Sequence, residues 1–243
     1  MSEYKIRILH LYPDLLNLYG DKGNIECMRK RLEWRGIEAE VVNRTQNDKG
    51  MGILDADIIF LGGGLEQEQK IVLDLLLEEK EDLKTFVDNG GTLLAVCGGY
   101  YILGKNCQIG EKTEEGLGIL EIATKTDSDD FRMIGDAIIE CDGVPSKIVG
   151  FENHSEKIDI GSLSPFGRVV KGFGNNEKSE FEGVYYKNLI GTNLHGPLLP
   201  KNPMLSEMIL TNALKLKYPE FEGLKPIDDE LENFANRFIQ SRI

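Results

Sequence analysis

Thr92-Leu-Leu-Ala-Val-Cys-Gly-Gly-Tyr100 is a short apolar run that stops abruptly at Cys97, with Gly98 and Gly99 directly behind it. Apolar runs of this length, preceded here by Gly90 and Gly91, read as strands buried on both faces of a parallel sheet. A cysteine at the last position of such a strand, followed by glycines, has the pattern of a nucleophile elbow, a tight strand-to-helix turn that presents a reactive side chain. Ala95, Gly98 and Gly99 leave room for backbone to crowd there. Such strain costs about 1–3 kcal/mol and persists where function demands it. The competing reading is a buried core cysteine followed by a plain loop, and the remainder of the chain separates the two.

On the N-terminal side, strands and helices alternate. Residues 5–12 form a first strand and residues 13–23 a turn-rich loop. Asn24 is placed to cap a helix that runs to about residue 35, with Ile25, Met28 and Leu32 inward and Gly36 ending it. Strands follow at 37–42 and 55–61, the second stopping in Gly62-Gly63-Gly64. A helical stretch covers 67–89 with a break near 78–81. Alternation of this kind predicts an α/β fold, a doubly wound and mostly parallel sheet. Sites in such sheets lie beyond the carboxyl ends of the strands, where both the Gly62–Gly64 loop and Cys97 fall. After Gly118 the pattern changes to short alternating segments at 132–140, 146–153, 168–173, 181–187 and 189–193, which read as an antiparallel extension. A helix at 204–216 follows, then a charged tail with one more helix at 229–240. The expected division is a domain over 4–215 and a C-terminal helical tail over 216–243.

Bulk properties narrow the function classes. The 243 residues, 41% of them hydrophobic, suffice for one large α/β domain. With 28 basic against 41 acidic residues the formal net charge is -13, which argues against nucleic acid or an anionic membrane as main partner. Cys27, Cys97, Cys107 and Cys141 are spaced like neither a metal knuckle nor a disulfide framework. No signal peptide and no apolar run of membrane-spanning length is visible, so the expected compartment is the cytoplasm, with thiols reduced and no membrane insertion.

A cysteine nucleophile needs a base to form its thiolate and to protonate the leaving group. The histidines are His10, His154 and His195. His10 sits within the first strand and reads as a packed residue. His154 and His195 both end strands, and Gly196-Pro197 forces a turn after the second. A tetrahedral oxyanion also needs N–H donors, for which the Gly98 amide and an amide of the Gly62–Gly64 loop (Gly63 or Gly64) are candidates. That loop lacks the lysine and hydroxyl of a Walker motif, and Glu66 and Glu68 would repel phosphate.

Five segments in order, Leu61-Gly-Gly-Gly64, Ala95-Val-Cys-Gly-Gly-Tyr100, Glu115-Gly-Leu-Gly-Ile-Leu120, Val149-Gly-Phe-Glu-Asn-His154 and Gly191-Thr-Asn-Leu-His-Gly-Pro197, resemble the class I glutamine amidotransferases, specifically their cobyric-acid-synthase-like branch. The resemblance covers about residues 4 to 215 and implies a flavodoxin-like sheet. Asn17-Leu-Tyr-Gly-Asp-Lys-Gly-Asn-Ile25, Gly150-Phe-Glu-Asn-His154, Gly172-Phe-Gly-Asn-Asn176 and Leu194-His-Gly-Pro-Leu-Leu-Pro-Lys201 look most like the branch's glutaminase subunits of lipid II isoglutaminyl synthase. What this implies is glutamine hydrolysis through a thioester on Cys97, with His195 as the base. Arg132 stands where the family places a substrate-binding arginine, suited to the α-carboxylate of L-glutamine. No cofactor is implied in this chain. The implied partner is a MurT-like Mur-ligase-family subunit, forming a heterodimer, using ATP and Mg, and amidating the α-carboxyl of D-glutamate in lipid II during peptidoglycan synthesis.

The chain departs from the wider superfamily at one point: Gly196-Pro197 follows His195, where a His-x-Glu pair usually supplies an orienting carboxylate. The expectation is that an acid from the partner completes the triad, with Glu152 as the in-chain alternative. Rival readings are an ammonia donor for cobyrinate-type amidation, a stand-alone γ-glutamyl cysteine hydrolase, and a binding module in which Cys97 is merely buried. Nothing before Lys5 resembles a fused synthetase domain, which favours a free-standing subunit.

Overall fold

In the computed structural model, which describes residues 3–47, 52–126, 131–177 and 179–242, β1 (Lys5–Leu11) pairs in parallel with β2 (Glu38–Arg44) on one side and β3 (Ile58–Leu61) on the other. β3 pairs in parallel with β4 (Thr92–Val96), and β4 with β14 (Leu189–Thr192). β13 (Val184–Tyr186) closes that edge antiparallel, giving the order β13-β14-β4-β3-β1-β2. Every residue of β3, β4 and β14 is buried. Strands covered on both faces can be apolar throughout, which is why these runs lack alternation. Truncating one of them, as in Leu94→Ala, is expected to cost about 2–5 kcal/mol.

The β4 register places Ala95 opposite Gly191 and Leu61, so the sheet's carboxyl edge presents Cys97, the Gly62–Gly64 loop and residues 193–195 side by side. Gly191 must be glycine, since a Cβ there would sit 2.2 Å from the Tyr100 ring.

α1 (Lys22–Glu33) buries Ile25, Met28 and Leu32, and Gly36 follows at φ +71 in the left-handed conformation. Asn24 does not cap it. It lies inside the helix, buried, with Oδ1 accepting the Leu199 N–H at 2.8 Å, because a tertiary donor captures the side chain. The long helical stretch divides into α2 (Glu66–Leu77) and α3 (Lys80–Asp88), as its acidic break predicts. α4 (Gly98–Tyr101) is a single turn after Cys97.

Two smaller sheets complete the fold. One contains β5 (Asn106–Ile109), β6 (Lys112–Glu115), β7 (Ala123–Lys125) and β10 (Lys157–Asp159) in the order β10-β7-β5-β6. The other contains β8 (Met133–Glu140), β9 (Ile148–His154), β11 (Gly167–Lys171) and β12 (Phe181–Glu182) in the order β12-β11-β8-β9. The antiparallel extension is therefore real for β8, β9, β11 and β12, but the segment at 189–193 belongs to the main sheet. The run at 181–187 splits at Gly183, φ +62, where a Cβ would lie 2.3 Å from the Gly191 carbonyl oxygen. One half joins β11 and the other joins β14.

α5 (Pro203–Lys217) packs on α1. Buried Arg31 pairs with Glu207 of α5 and with Asp229, each at 2.7 Å, tying the tail to the body. α6 (Glu230–Arg242) is docked by Asn236, whose Nδ2 donates to the Lys201 carbonyl at 2.9 Å and to Asn202 Oδ1 at 3.0 Å. Its outer face leaves Leu231, Phe234 and Phe238 at 75%, 59% and 50% exposure. No helix among the described residues is long and apolar enough to cross a membrane.

Candidate active site

Cys97 has φ 51 and ψ -120, a conformation that L-residues rarely adopt. Its N–H is held by the Thr192 carbonyl at 2.8 Å, and its own carbonyl accepts the N–H groups of Tyr100 and Tyr101. The strand end and the first helical turn thus fix both sides of the strained residue. The neighbouring glycines are sterically required: a Cβ on Gly99 would lie 2.6 Å from the Gly62 carbonyl oxygen, and one on Gly98 would lie 2.5 Å from Gln69 Cδ. Gln69 Nε2 donates to the Gly64 carbonyl at 2.7 Å, so it bridges the elbow and the glycine loop.

His195 meets Cys97 at Gly63. A methyl group on Gly63 would lie 3.2 Å from Cys97 Cβ and 3.4 Å from His195 Cε1. The His195 N–H donates to the Phe151 carbonyl at 2.9 Å, a bridge that sets the base against β9. Tyr19 packs edge-on against its ring at 4.7 Å. Both ring nitrogens are buried and without a hydrogen-bond partner among the described residues. Burial pushes the imidazole down to about 3, with His154 and Lys201 adding to the effect. Burial pushes the Cys97 thiol up to about 12, and Glu156 adds to it. The resting pair is therefore a neutral thiol and a neutral imidazole. Carboxamidomethylation of Cys97 in the free chain is expected to accelerate about tenfold per pH unit from roughly pH 6 to 9, following the thiolate fraction. Peptide mapping after iodoacetamide would contradict this if the rate levelled off below pH 8.

The three expected oxyanion donors differ in placement. The Gly98 N–H faces the Cys97 sulfur. The Gly63 N–H does not; it donates to Asp21 Oδ2 at 2.8 Å. Asp21 is wholly buried, which pushes its carboxyl up to about 7, and its Oδ1 has no partner among the described residues. Gly64 lies against Leu15 and Leu16, where a Cβ would come within 2.5 Å of Leu16 Cδ2.

Arg132 is exposed at the start of the β8 segment, and its Nε donates to Asn153 Oδ1 at 2.6 Å. Asn153 in turn donates to the Tyr19 hydroxyl. Arg132 is thus linked through Asn153 and Tyr19 to the His195 ring. Glu152 does not take the place of the missing acid: its carboxylate oxygens accept the N–H groups of Phe173 and Gly174 at 2.8 and 2.7 Å. His154 Nδ1 lies 2.9 Å from the Glu156 carbonyl, a contact inside its own turn, and His10 packs on Phe60.

Sequence reasoning missed Tyr19, Asp21, Gln69, Tyr101 and Glu156. Tyr101 accepts the Cys97 thiol at 3.7 Å and donates to Asn193 Oδ1 at 2.7 Å. Tyr19 and Asp21 fall in the quoted Asn17–Ile25 motif, which was the available signal for them. Among the described residues no group of His, Cys, Asp and Glu could hold a metal ion.

The chain is similar to known proteins over most of its length. The CobB/CobQ-like glutamine amidotransferase domain matches residues 7–203. The chain is 40% identical over 242 residues to the lipid II isoglutaminyl synthase (glutamine-hydrolyzing) subunit GatD of Staphylococcus aureus strain N315, covering 98% of this chain and 96% of that one. The subunit of the same name from Streptococcus pneumoniae is 37% identical, with 94% of this chain and 88% of that one covered. A solved glutamine amidotransferase structure superposes with a TM-score of 0.56 at 17% identity, over 84% of this chain and 98% of that one, a likeness of fold. By its sequence, the chain belongs to the CobB/CobQ-like glutamine amidotransferases, and within them to the GatD family.

Proposed function

We propose that this chain is the glutamine-hydrolysing subunit of a lipid II isoglutaminyl synthase. The observation that carries the reading is the convergence on Gly63 of a strained Cys97 and a His195 whose ring nitrogens have no hydrogen-bond partner among the described residues. In this reading the Cys97 sulfur attacks the side-chain carbonyl carbon of L-glutamine while His195 takes the thiol proton. The Gly98 N–H stabilises the developing oxyanion. His195 then returns the proton to the amide nitrogen, the C–N bond breaks and ammonia leaves, with a glutamyl thioester on Cys97. Water, deprotonated by His195, cleaves the thioester and releases glutamate. Arg132 holds the α-carboxylate of the substrate.

The ammonia goes to a MurT-like ligase subunit, which uses ATP and Mg to activate the α-carboxyl of D-glutamate in lipid II. An ATP-using partner and four free cysteines suit the cytoplasm. With the thiol near 12 and the imidazole near 3, proton transfer within the resting pair is strongly uphill. A carboxylate from the partner beside one orphaned His195 nitrogen would raise the imidazole and fix its tautomer, a contribution worth about 10⁴ in a serine-protease triad. Glutamate release by the free chain is therefore expected to be far slower than by the two-subunit complex. Equal rates in a coupled glutamate dehydrogenase assay would refute the shared triad. Failure of any ligase-dependent amidation of lipid II would refute the assignment of acceptor.

A further inference from the structure

Glu182, on β12, is fully buried and carries no cation partner among the described residues, yet its side-chain hydrogen bonds lead toward the reacting residues. Its Oε1 accepts the Asn193 backbone N–H at 2.7 Å, and its Oε2 accepts the Thr192 hydroxyl at 2.9 Å. Thr192 Oγ1 itself accepts the Leu194 N–H at 3.1 Å, so the three residues leading into His195 hang on this one carboxyl group. Asn193 Oδ1 accepts the Tyr101 hydroxyl, and Tyr101 accepts the Cys97 thiol. The Thr192 carbonyl holds the Cys97 N–H.

We propose that Glu182 is a positioning residue for glutamine hydrolysis: by fixing Thr192 and Asn193 it sets the register of Cys97, through Asn193 and Tyr101, and of His195, two residues further along the chain.

Burying a carboxyl is costly, and the cost is offset here by the hydrogen bonds it accepts from Asn193 and Thr192. Burial pushes Glu182 up to about 8, with neighbouring Glu152 also raising it. At neutral pH it is mostly the uncharged acid, which can accept from the Asn193 N–H and still share a hydrogen bond with Thr192. A glutamine side chain can do both.

The quoted Gly172–Asn176 motif supports the same assembly. Glu152 binds the N–H groups of Phe173 and Gly174, and Asn175 clamps Gly183 on both sides, with 2.8 Å to its N–H and 3.1 Å to its carbonyl. The motif thus fastens β12, and Glu182 with it, to β9, whose Phe151 holds the His195 backbone.

The inference rests on Cys97 and His195 being the reacting pair, and its test keeps the two apart. Steady-state glutaminase kinetics are measured on the full-length chain with its ligase partner. Glu182→Leu is expected to lower kcat about a hundredfold, the scale of a misplacement of about 1 Å, with KM within about threefold of wild type. Glu182→Gln is expected to recover kcat to within about fivefold. Tyr101→Phe is expected to lower kcat about tenfold alone, and by less than about twofold on top of Glu182→Leu, because both act through one network. A folded Glu182→Leu chain with wild-type kcat, or losses that multiply in the double variant, would overturn the inference. Should Glu182→Leu fail to fold, Thr192→Val reads the same connection: about a tenfold loss of kcat at constant KM supports the role and an unchanged kcat overturns it. A Cys97→Ala chain that still hydrolysed glutamine would overturn the reacting pair itself, whatever Glu182 does.

Discussion

Replacing Cys97 with alanine is expected to abolish glutamine hydrolysis, with a loss of at least about 10⁴ in kcat. Alanine at φ 51 carries the same backbone strain as cysteine, so the elbow keeps its shape. What disappears is the sulfur that the Gly98 N–H faces and the thiol that Tyr101 accepts. His195→Ala is expected to be nearly as severe, and the double variant no worse than the worse single one, because nucleophile and base act as a unit. Glutamate release gives the rates, and intact-mass detection of a diazo-oxo-norleucine adduct gives the site. More than about 1% residual activity in Cys97→Ala, or an adduct on Cys27, Cys107 or Cys141, would sink the assignment of the nucleophile.

Thermodynamic stability is expected to peak near pH 6 and to fall on both sides. Burial holds His10 and His154 down to about 4 and His195 down to about 3, from 6.5. The unfolded chain therefore binds more protons on these groups below pH 6.5; their contribution is complete above that pH and is lost as pH falls toward 4. Asp21 and Glu182 act in the opposite sense. Burial raises them from 3.8 to about 7 and from 4.5 to about 8. Their contribution is complete in acid and is lost as pH rises toward 8. Up to about pH 6 the three histidines outweigh the two carboxyls, and above it the carboxyls prevail. At about 1.4 kcal/mol per proton per pH unit, the alkaline limb amounts to about 2 kcal/mol between pH 6 and 8.5. Glu152, also raised by burial, draws the maximum further toward acid. Glu182→Gln is expected to flatten the alkaline limb. Urea denaturation across this range checks both, and a wild-type profile that still rises from pH 6 to 8.5 would contradict them.

Most of the parallel core was legible in the sequence, because burial on both faces leaves an unmistakable apolar run at 58–61, 92–96 and 189–192. The last of these was placed in the wrong sheet. Its neighbours in the chain alternate, and only Gly183, folded against Gly191, reveals that the strands part company there. The β10-β7-β5-β6 sheet was missed because strands such as Lys112–Glu115 are polar and largely exposed, so hydrophobic period carries no signal. At the site, Cys97 and the glycines announced themselves through backbone demands that few residue types meet. Tyr101, Glu182 and Asp21 did not, since each owes its place to a partner far off in sequence. Asp21 in particular overturned the expected use of the Gly63 amide, and no local pattern links residue 21 to residue 63.

The pairing of β4 with β14 carries a consequence for the newly made chain. Synthesis proceeds from the N-terminus, so the elbow strand leaves the ribosome long before the strand that must lie beside it. Until β14 arrives, the Cys97 N–H has no Thr192 carbonyl to hold it, and His195 has not yet been made. A nascent or truncated chain would thus display its cysteine in an unfinished sheet. In the proposed mechanism the thiol therefore meets its base only after residue 195 has been made.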